Sequence, residues 1–477
     1  MASKNIQFKT IPDGIKVRGI YVEQDITLAN HSLPSGARRI MVIGQRMSTG
    51  TILEKVAKQC FSGVEAATYW GNGSMLALMI DAVLKKNPYV EVWGCALNDN
   101  GAGVAATGTF TITGAATSAG SIRIYIGDQY VDAAIANLAD VTAVALAMKT
   151  AINAKVSLPV TADNVAGLLT VTSKFKGLCA NDIPLDAEIL SGTGIACAVV
   201  QMASGATNPS VQGALDIIAG DRYHIIVSPF NNQTDLTTLK THINTVSGWN
   251  NPRACIGVYA TIAALADTTT LSGQVNSERI IGPYVRYTTA TKRRAPAWIV
   301  ASIVAADEAA RKLSDPFIDR DLSNIAVPDV ANRFIYTEEQ TLLTNGVGPI
   351  TIGAGETPVI RRMPTTKCKD DNNQAMLMDI HKITAMDYCR DALIADLAAK
   401  APKKIKSTPP ATIDVIKSIA LDVAFRCQDA GILDDVADYK ALFLVEKDLQ
   451  NAGQINISMP SPVGDGAYVL AVKQVLY

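Results

Sequence analysis

The chain alternates short apolar runs with longer segments in which apolar residues recur at helical spacing. The run at residues 221–230, DRYHIIVSPF, is the one around which the others are arranged. Its apolar side chains alternate onto both faces, which predicts a strand covered on each side. Similar runs occupy residues 40–44, 90–97 and 254–259. This alternation predicts an α/β fold with an open, mostly parallel sheet core flanked by helices.

Helical spacing recurs between and after these runs. Asn72 and Gly73 predict a break in the first helical segment, since glycine and asparagine favour turns. The predicted helices cover residues 63–84, 142–155, 210–218, 236–246, 297–313, 373–399 and 413–428.

The composition changes at about residue 105, where the chain becomes rich in Thr, Gly and Ala and short strands dominate until about residue 206. Within this segment Gly127 and Asp128 separate two strand-like runs in the manner of a tight hairpin turn. The segment therefore predicts a small α+β domain inserted into the sequence of the core.

The remaining strand signals lie in the second half of the chain. Residues 279–285 read as a strand and residues 345–362 as a hairpin. Further strands are predicted at residues 442–447, 454–459 and 466–477. The last of these, GAYVLAVKQVLY, is long and apolar for a terminus, which makes it a candidate for pairing with a sheet.

Charge and hydrophobicity narrow the classes of partner. The 43 basic and 44 acidic residues nearly cancel, which argues against direct nucleic-acid binding and against docking on an acidic membrane surface. A hydrophobic fraction of 48% with only 18% charged residues is rich for a monomer. The surplus favours burial in subunit contacts, so the expected partners are proteins.

Cysteine usage and terminal composition predict a cytoplasmic setting. The 8 cysteines include no C-x-x-C pair, which suits a reducing compartment. The N-terminal residues have no apolar signal core, and the longest apolar run, residues 298–306, is too short to span a bilayer. No membrane insertion is expected.

No stretch of the sequence matches the known motifs of enzyme active sites or cofactor sites well. Residues 44–51, GQRMSTGT, resemble a phosphate loop but lack its lysine and its spacing, so a simple turn is favoured. His224 could act as a base, yet a satisfied core histidine fits better, and Ser228 lies outside a G-x-S-x-G motif. No catalytic residue, cofactor or metal ligand is predicted. An α/β enzyme with an unrecognised site remains an alternative.

Six stretches of the chain, at residues 12–23, 39–45, 91–93, 342–347, 361–366 and 443–448, taken in order, resemble the contractile tail sheath proteins and are most similar to those of Mu-like phages. Residues 12–23, PDGIKVRGIYVE, resemble the family's first strand, with Arg18 in place of a proline. Residues 39–45 and 91–93 continue the likeness. Residues 342–347 together with 361–366, and finally 443–448, complete it, with Lys447 and Asp448 replacing arginine and asparagine.

This resemblance implies a structural protein and not an enzyme. Subunits of the family stack as hexameric rings, forming a helical tube around the inner tail tube protein. They also meet baseplate and tail terminator proteins. Contraction drives the tube through the host envelope. The implied location is the virion tail, after assembly in the host cytoplasm. A bacterial contractile injection device or a bacteriocin is the alternative within the same class.

The resemblance also implies a division of the chain into core, inserted domain and arms. The segments are an N-terminal arm at 1–38, sheath core at 39–104, an outward-facing inserted domain at 105–206, a second core part at 207–314, a C-terminal core part with helices at 315–453, and a C-terminal arm at 454–477. Strands exchanged with neighbouring subunits would comprise Gly19, Ile20, Tyr21, Val22, Ala467, Tyr468, Val469, Leu470, Ala471, Val472, Lys473, Gln474 and Val475.

Overall fold

The computed structural model describes residues 16–18, 38–192, 194–288, 291–322, 325–406, 411–451 and 453–475. Residues 37–477 form one compact unit, and residues 1–36 form another, of which only 16–18 are described. The predicted N-terminal arm strand, Gly19 to Val22, therefore lies outside the described residues.

The strands and helices are numbered along the chain. The strands are β1 Arg39–Gln45, β2 Ala57–Cys60, β3 Glu91–Leu97, β4 Ala105–Gly114, β5 Gly120–Ile126, β6 Gln129–Ile135, β7 Val160–Val165, β8 Leu168–Lys176, β9 Leu185–Ser191, β10 Ile195–Ala203, β11 Ile225–Val227, β12 Ile256–Val258, β13 Ile280–Ile281, β14 Pro283–Tyr284, β15 Arg320–Asp321, β16 Gly348–Ile352, β17 Pro358–Ile360, β18 Leu444–Lys447 and β19 Ile455–Ser458. The helices are α1 Gly63–Trp70, α2 Met75–Lys86, α3 Val141–Ala154, α4 Gln212–Ile218, α5 Gln233–Val246, α6 Leu265–Val275, α7 Ala297–Ala310, α8 Tyr336–Thr344, α9 Ile380–Lys400 and α10 Thr412–Asp429.

Strands and helices mix in the way that the alternating pattern predicted, and the α/β class is confirmed. The main sheet has the strand order β13-β12-β11-β1-β3-β2. Its neighbours run parallel except for β2, which is antiparallel to β3. Within the run at residues 221–230, only Ile225–Val227 form a strand, β11, which lies between β12 and β1, and all three of its residues are buried.

Helices α2 and α7 pack against this sheet and against each other. A serine begins α2, since the Ser74 hydroxyl accepts a hydrogen bond from the Ala77 N–H. Gly44 permits the close approach of this helix, because a β-carbon at that position would lie 3.0 Å from Leu76 Cα. The predicted break at Asn72 and Gly73 separates α1 from α2 and is confirmed.

The segment with changed composition forms two antiparallel sheets, ordered β10-β4-β8-β7 and β6-β5-β9, together with α3. Gly127 connects β5 to β6 with a φ of 63°, a backbone conformation that glycine adopts without a steric penalty. Strands β7 and β9 were not predicted. The boundaries of an inserted domain stay a prediction.

Residues 279–285 do not form the single strand that was predicted. β13 pairs with β12 in the main sheet, whereas β14 pairs with β16 in a separate sheet ordered β14-β16-β17-β15. Gly282 lies at the break, where a β-carbon would lie 2.6 Å from the Tyr259 hydroxyl. Only a glycine fits this approach to Tyr259, and beyond it the contact with the segment after β12 is reduced to an isolated bridge between Thr261 and Tyr284.

The predicted helix at residues 373–399 begins seven residues late in the structure, as α9 at Ile380. Asn373 has a φ of 59°, a left-handed value that a helix cannot contain. Lys369 and Ala375 form an isolated antiparallel bridge, so the segment is a turn that precedes the helix. The hairpin predicted within residues 345–362 is present as β16 and β17.

Candidate assembly interface at the C-terminal arm

The end of the chain leaves the body as an exposed apolar segment. Val469, Leu470 and Val472 are 84%, 86% and 85% exposed, far more than isolated surface aliphatics need be. The predicted strand at residues 466–477 has no ladder partner among the described residues, so its first ten residues form no strand in this chain. A run of three exposed aliphatic side chains favours contact with another surface.

Most of the predicted strand-exchange residues between 467 and 475 share this exposure. Among them only Tyr468 is partly buried, so it marks the point at which the exposed segment leaves the body. The exposed members are Ala467, Val469, Leu470, Ala471, Val472, Lys473, Gln474 and Val475.

Tyr468 is held by a cluster on the body. Its hydroxyl donates a hydrogen bond to His381 Nδ1 at 3.3 Å, and His381 Nε2 donates to the Gly464 carbonyl at 3.3 Å, in the tautomer that satisfies both. The Arg362 guanidinium lies 3.8 Å from the centre of the Tyr468 ring, a cation–π contact. Burial raises the pKa of the Tyr468 hydroxyl, so it stays a donor at neutral pH.

Two ion pairs strengthen the cluster. Arg362 binds Asp379 through two hydrogen bonds of 2.8 and 2.7 Å, in the planar bidentate geometry of strong pairs. Asp379 is the residue before α9, where a carboxylate also interacts favourably with the helix dipole. Lys382 pairs with Asp465, and this contact lowers the pKa of the Asp465 carboxyl.

A two-stranded hairpin, β18 with β19, lies just before the exposed segment. Its register pairs Leu444 with Ser458 and Lys447 with Ile455, and the Asp448 N–H donates to the Gln454 carbonyl at 3.0 Å. Bonded pairs alternate along an antiparallel ladder, so the main-chain groups of residues 445, 447, 455 and 457 point to the two outer edges. Neither edge pairs with another strand among the described residues.

Thr366, the last residue of the family-like stretch 361–366, supports the main sheet. The Thr366 N–H donates to the Ile280 carbonyl at 2.8 Å, along the outer edge of β13. Its hydroxyl accepts from the Ser277 N–H at 3.0 Å and donates to the Ser277 carbonyl at 3.1 Å. Thr366 thereby provides a hydrogen-bond partner for a carbonyl at the edge of the sheet, which would otherwise have none from a neighbouring strand.

Sequence reasoning did not find the residues that hold Tyr468. Arg362 belonged to the family-like stretch, but nothing in the sequence linked it to the tail. His381 has no other histidine within four positions of it, so the sequence itself gives no sign of a site there. His381 and Tyr468 are 87 positions apart in the sequence, so no local signal indicates their contact.

The positions considered for chemistry have structural roles. Among the described residues, no group of three His, Cys, Asp or Glu side chains could hold a metal ion. In the loop at residues 44–51, the Gly50 N–H donates to the Met47 carbonyl at 3.1 Å, which closes a turn, and Arg46 Nη2 donates to the Gly50 carbonyl. In the described part of the chain, no helix is long and apolar enough to cross a membrane.

His224 lies just before β11 and is part of the main-chain network. The Arg39 N–H donates to His224 Nδ1 at 3.0 Å, and the His224 N–H donates to the Arg39 carbonyl at 2.9 Å. Burial, and then the charges of Arg222, Arg38 and Arg39, lower the pKa of His224 to about 4. The neutral ring serves as a hydrogen-bond acceptor, the role of a satisfied core histidine.

We expect His224 to make the fold sensitive to acid. Its folded pKa of about 4 lies below the unfolded value of about 6.5, so its contribution is present above pH 6.5 and is lost as the pH falls toward 4. The free energy of unfolding should fall by about 2–3 kcal/mol from this residue between pH 7 and pH 4. Urea unfolding of the wild type and of His224→Asn, which keeps an acceptor, measures the difference. Equal pH dependence in both proteins would contradict it.

The comparisons with known proteins bear on the whole chain. No known protein-family profile matches it. The Mu-like prophage FluMu tail sheath protein of Haemophilus influenzae is 26% identical over 474 residues, which cover 95% of this chain and 96% of that protein. The resemblance to contractile tail sheath proteins is confirmed. The similarity spans nearly the full length of both chains and is not confined to one segment of either.

Solved sheath structures share the fold at lower sequence identity. The sheath tail protein of Desulfitobacterium hafniense is 16% identical, with a TM-score of 0.50 over 90% of this chain and 94% of that one. The helical sheath of the anti-feeding prophage in its contracted state is 12% identical, with a TM-score of 0.52 over 97% of this chain and 99% of that one. These relatives are structural sheath proteins and not enzymes.

Proposed function

We propose that this chain is the structural subunit of a contractile phage tail sheath. The observation that carries the proposal is the similarity, over nearly the full length of both chains, to a prophage tail sheath protein. That relative also favours a phage tail over an injection device or bacteriocin. The subunit would act in the virion tail, after assembly in the host cytoplasm.

In this proposal the subunits stack as hexameric rings and build a helical tube around the inner tail tube protein. The tube ends on baseplate and tail terminator proteins, and its contraction drives the inner tube through the host envelope. Residues 39–104 and 207–314 would form the sheath core, and residues 105–206 the outer domain. The separate antiparallel sheets of the latter segment support this division.

The arms would join neighbouring subunits by strand addition. An extended segment gains main-chain hydrogen bonds when it adds to a sheet edge, and its alternate side chains enter pockets on the acceptor. The exposed tail, residues 469–475, supports the role of donor. The hairpin of β18 and β19 is suited to accept such a strand. A two-stranded sheet is only marginally stable by itself, and both of its edges are open to a further strand. Two edges match the two predicted arms.

Blocking one edge of the hairpin should stop assembly. A proline at Lys447 or at Ile455 removes an outward N–H while leaving the bonds inside the hairpin intact. We expect Lys447→Pro and Ile455→Pro to fold but to form no tubes in negative-stain electron microscopy at concentrations at which the wild type forms them.

The matched controls keep the outward N–H. Lys447→Thr and Ile455→Val preserve the donor and the strand propensity, so both should form normal tubes. Tubes of wild-type length from both proline variants would exclude this hairpin as the acceptor. A wild type that remains as small particles at every concentration, even when the inner tube protein is added as a template, would argue against the sheath function itself.

A further inference from the structure

A buried ion cluster holds the first described residue of the main unit. Arg38 Nη1 donates to the Glu308 carbonyl at 2.7 Å and to Glu308 Oε1 at 3.0 Å. Arg311 binds the same carboxylate at Oε1 and Oε2, both at 2.7 Å. The side chains of Glu308 and Arg311 are 0% exposed, so Arg38 is attached to a part of the body from which water is excluded.

The cluster continues to the first turn of α9. Arg311 Nη2 donates to the Thr384 hydroxyl at 2.8 Å. That hydroxyl in turn donates to the His381 carbonyl at 3.1 Å, with a longer contact of 3.3 Å to the Ile380 carbonyl. A single threonine therefore connects the ion cluster to the backbone of the residue whose ring binds Tyr468.

The same helical turn holds the exposed tail. The His381 ring contacts both Tyr468 and Gly464, and Asp379, just before the helix, binds Arg362 beneath the Tyr468 ring. Arg38, at the end of the predicted N-terminal arm, and Tyr468, where the exposed tail leaves the body, are thus linked by a series of hydrogen bonds that passes through the residue His381. The chain of contacts runs from Arg38 through Glu308, Arg311, Thr384 and His381 to Tyr468.

We propose that the first turn of α9 is a shared anchor that positions the roots of both arms, with Arg38, Thr384 and Tyr468 as positioning residues. The proposal rests on the proposed function, since it concerns the arms of a sheath subunit. Buried ion pairs add little net stability but fix geometry, because each misplaced charge loses its partners. A mechanical force applied to one arm would be transmitted through this network to the other arm and would not have to pass through flexible loops.

The coupling is measurable in the unassembled protein. Arg38→Gln leaves Glu308 paired with Arg311 and should still fold. We expect it to speed amide hydrogen exchange of residues 460–468, at the far end of the network, by about threefold or more. Thr384→Val removes only the bridging hydroxyl and should produce the same increase. Combining the two substitutions should add little, because both interrupt one path.

Matched controls separate coupling from general loss of stability. Arg333→Gln breaks an exposed ion pair with Glu356 outside the network, and it should leave exchange of residues 460–468 unchanged. Exchange in strands β1 and β3 reports global unfolding and should stay at the wild-type rate in all variants. Unchanged exchange of residues 460–468 in both Arg38→Gln and Thr384→Val would overturn the proposal, whether or not the protein forms tubes.

Assembly gives the second readout. Tyr468→Phe should raise the critical concentration for tube formation by about threefold or more, and its effect should be smaller in the Arg38→Gln background than in the wild type. Independent effects that multiply would mean that the arm roots are anchored separately and would contradict the shared anchor. A wild type without tubes, but with the expected exchange coupling, would support the anchor while counting against the sheath function.

Discussion

Deletion of residues 469–477 is expected to give a folded, soluble protein that forms no tubes. The deletion keeps Tyr468 with its contacts to His381 and Arg362, so the body loses none of the contacts of that ring. It removes the exposed aliphatic side chains Val469, Leu470 and Val472 and the main chain that would pair with a neighbour. Analytical ultracentrifugation should give a monomer, and electron microscopy should find no tubes.

The size of the effect follows from the bonds that the arm would make. Each main-chain hydrogen bond contributes a net of about 0.5–1.5 kcal/mol, so four or five of them contribute about 5 kcal/mol. Such a loss weakens a subunit contact by about 1,000-fold or more. Repetition of the contact around each ring makes the assembly still more sensitive.

A peptide of residues 466–477 provides the control for this deletion. Added in excess, it should occupy the acceptor edge and inhibit tube formation by the full-length protein. A peptide in which Val469, Leu470 and Val472 are replaced by serine has the same length and should inhibit far less. Normal tubes from the truncated protein would show that the tail is not the tether.

The fold was predictable where the signal was local. The apolar runs that became β1, β3 and β11 are short and are bounded by turn residues, and these two features distinguish a strand buried on both faces from a buried helix. Helix α6, Leu265–Val275, was missed because its sequence is rich in threonine, which has low helix propensity. Packing of Thr268, Ser272 and Val275 into the body overrides that preference.

The candidate interface was predictable only in part. Alternating apolar residues marked the tail as a strand, but a strand needs a partner, and none is available to it among the described residues of this chain. The hairpin of β18 and β19 was predicted as two strands, whereas its open edges follow from the sheet order. The anchor around Tyr468 joins residues from distant parts of the chain, and only the folded structure brings them together.

Glu308→Gln should destabilise the fold by about 3 kcal/mol or more. The carboxylate lies at the end of α7, fully buried, between Arg311 and Arg38. Burial alone would raise its pKa, but the two arginines outweigh this and lower it, so Glu308 is charged in the folded protein. Removing that charge leaves two guanidinium groups with little compensation in a region that excludes water, which typically costs about 3–5 kcal/mol.

An exposed pair of the same chemistry is the matched control. Glu356 binds Arg333 through both oxygens, but its side chain is 68% exposed. Glu356→Gln should change the free energy of unfolding far less than Glu308→Gln does, because solvent screens the exposed pair. Urea unfolding of the two variants at pH 7 measures the contrast. Losses of equal size would mean that burial does not set the energy of the Glu308 cluster, and that its arginines find other partners when the carboxylate is gone.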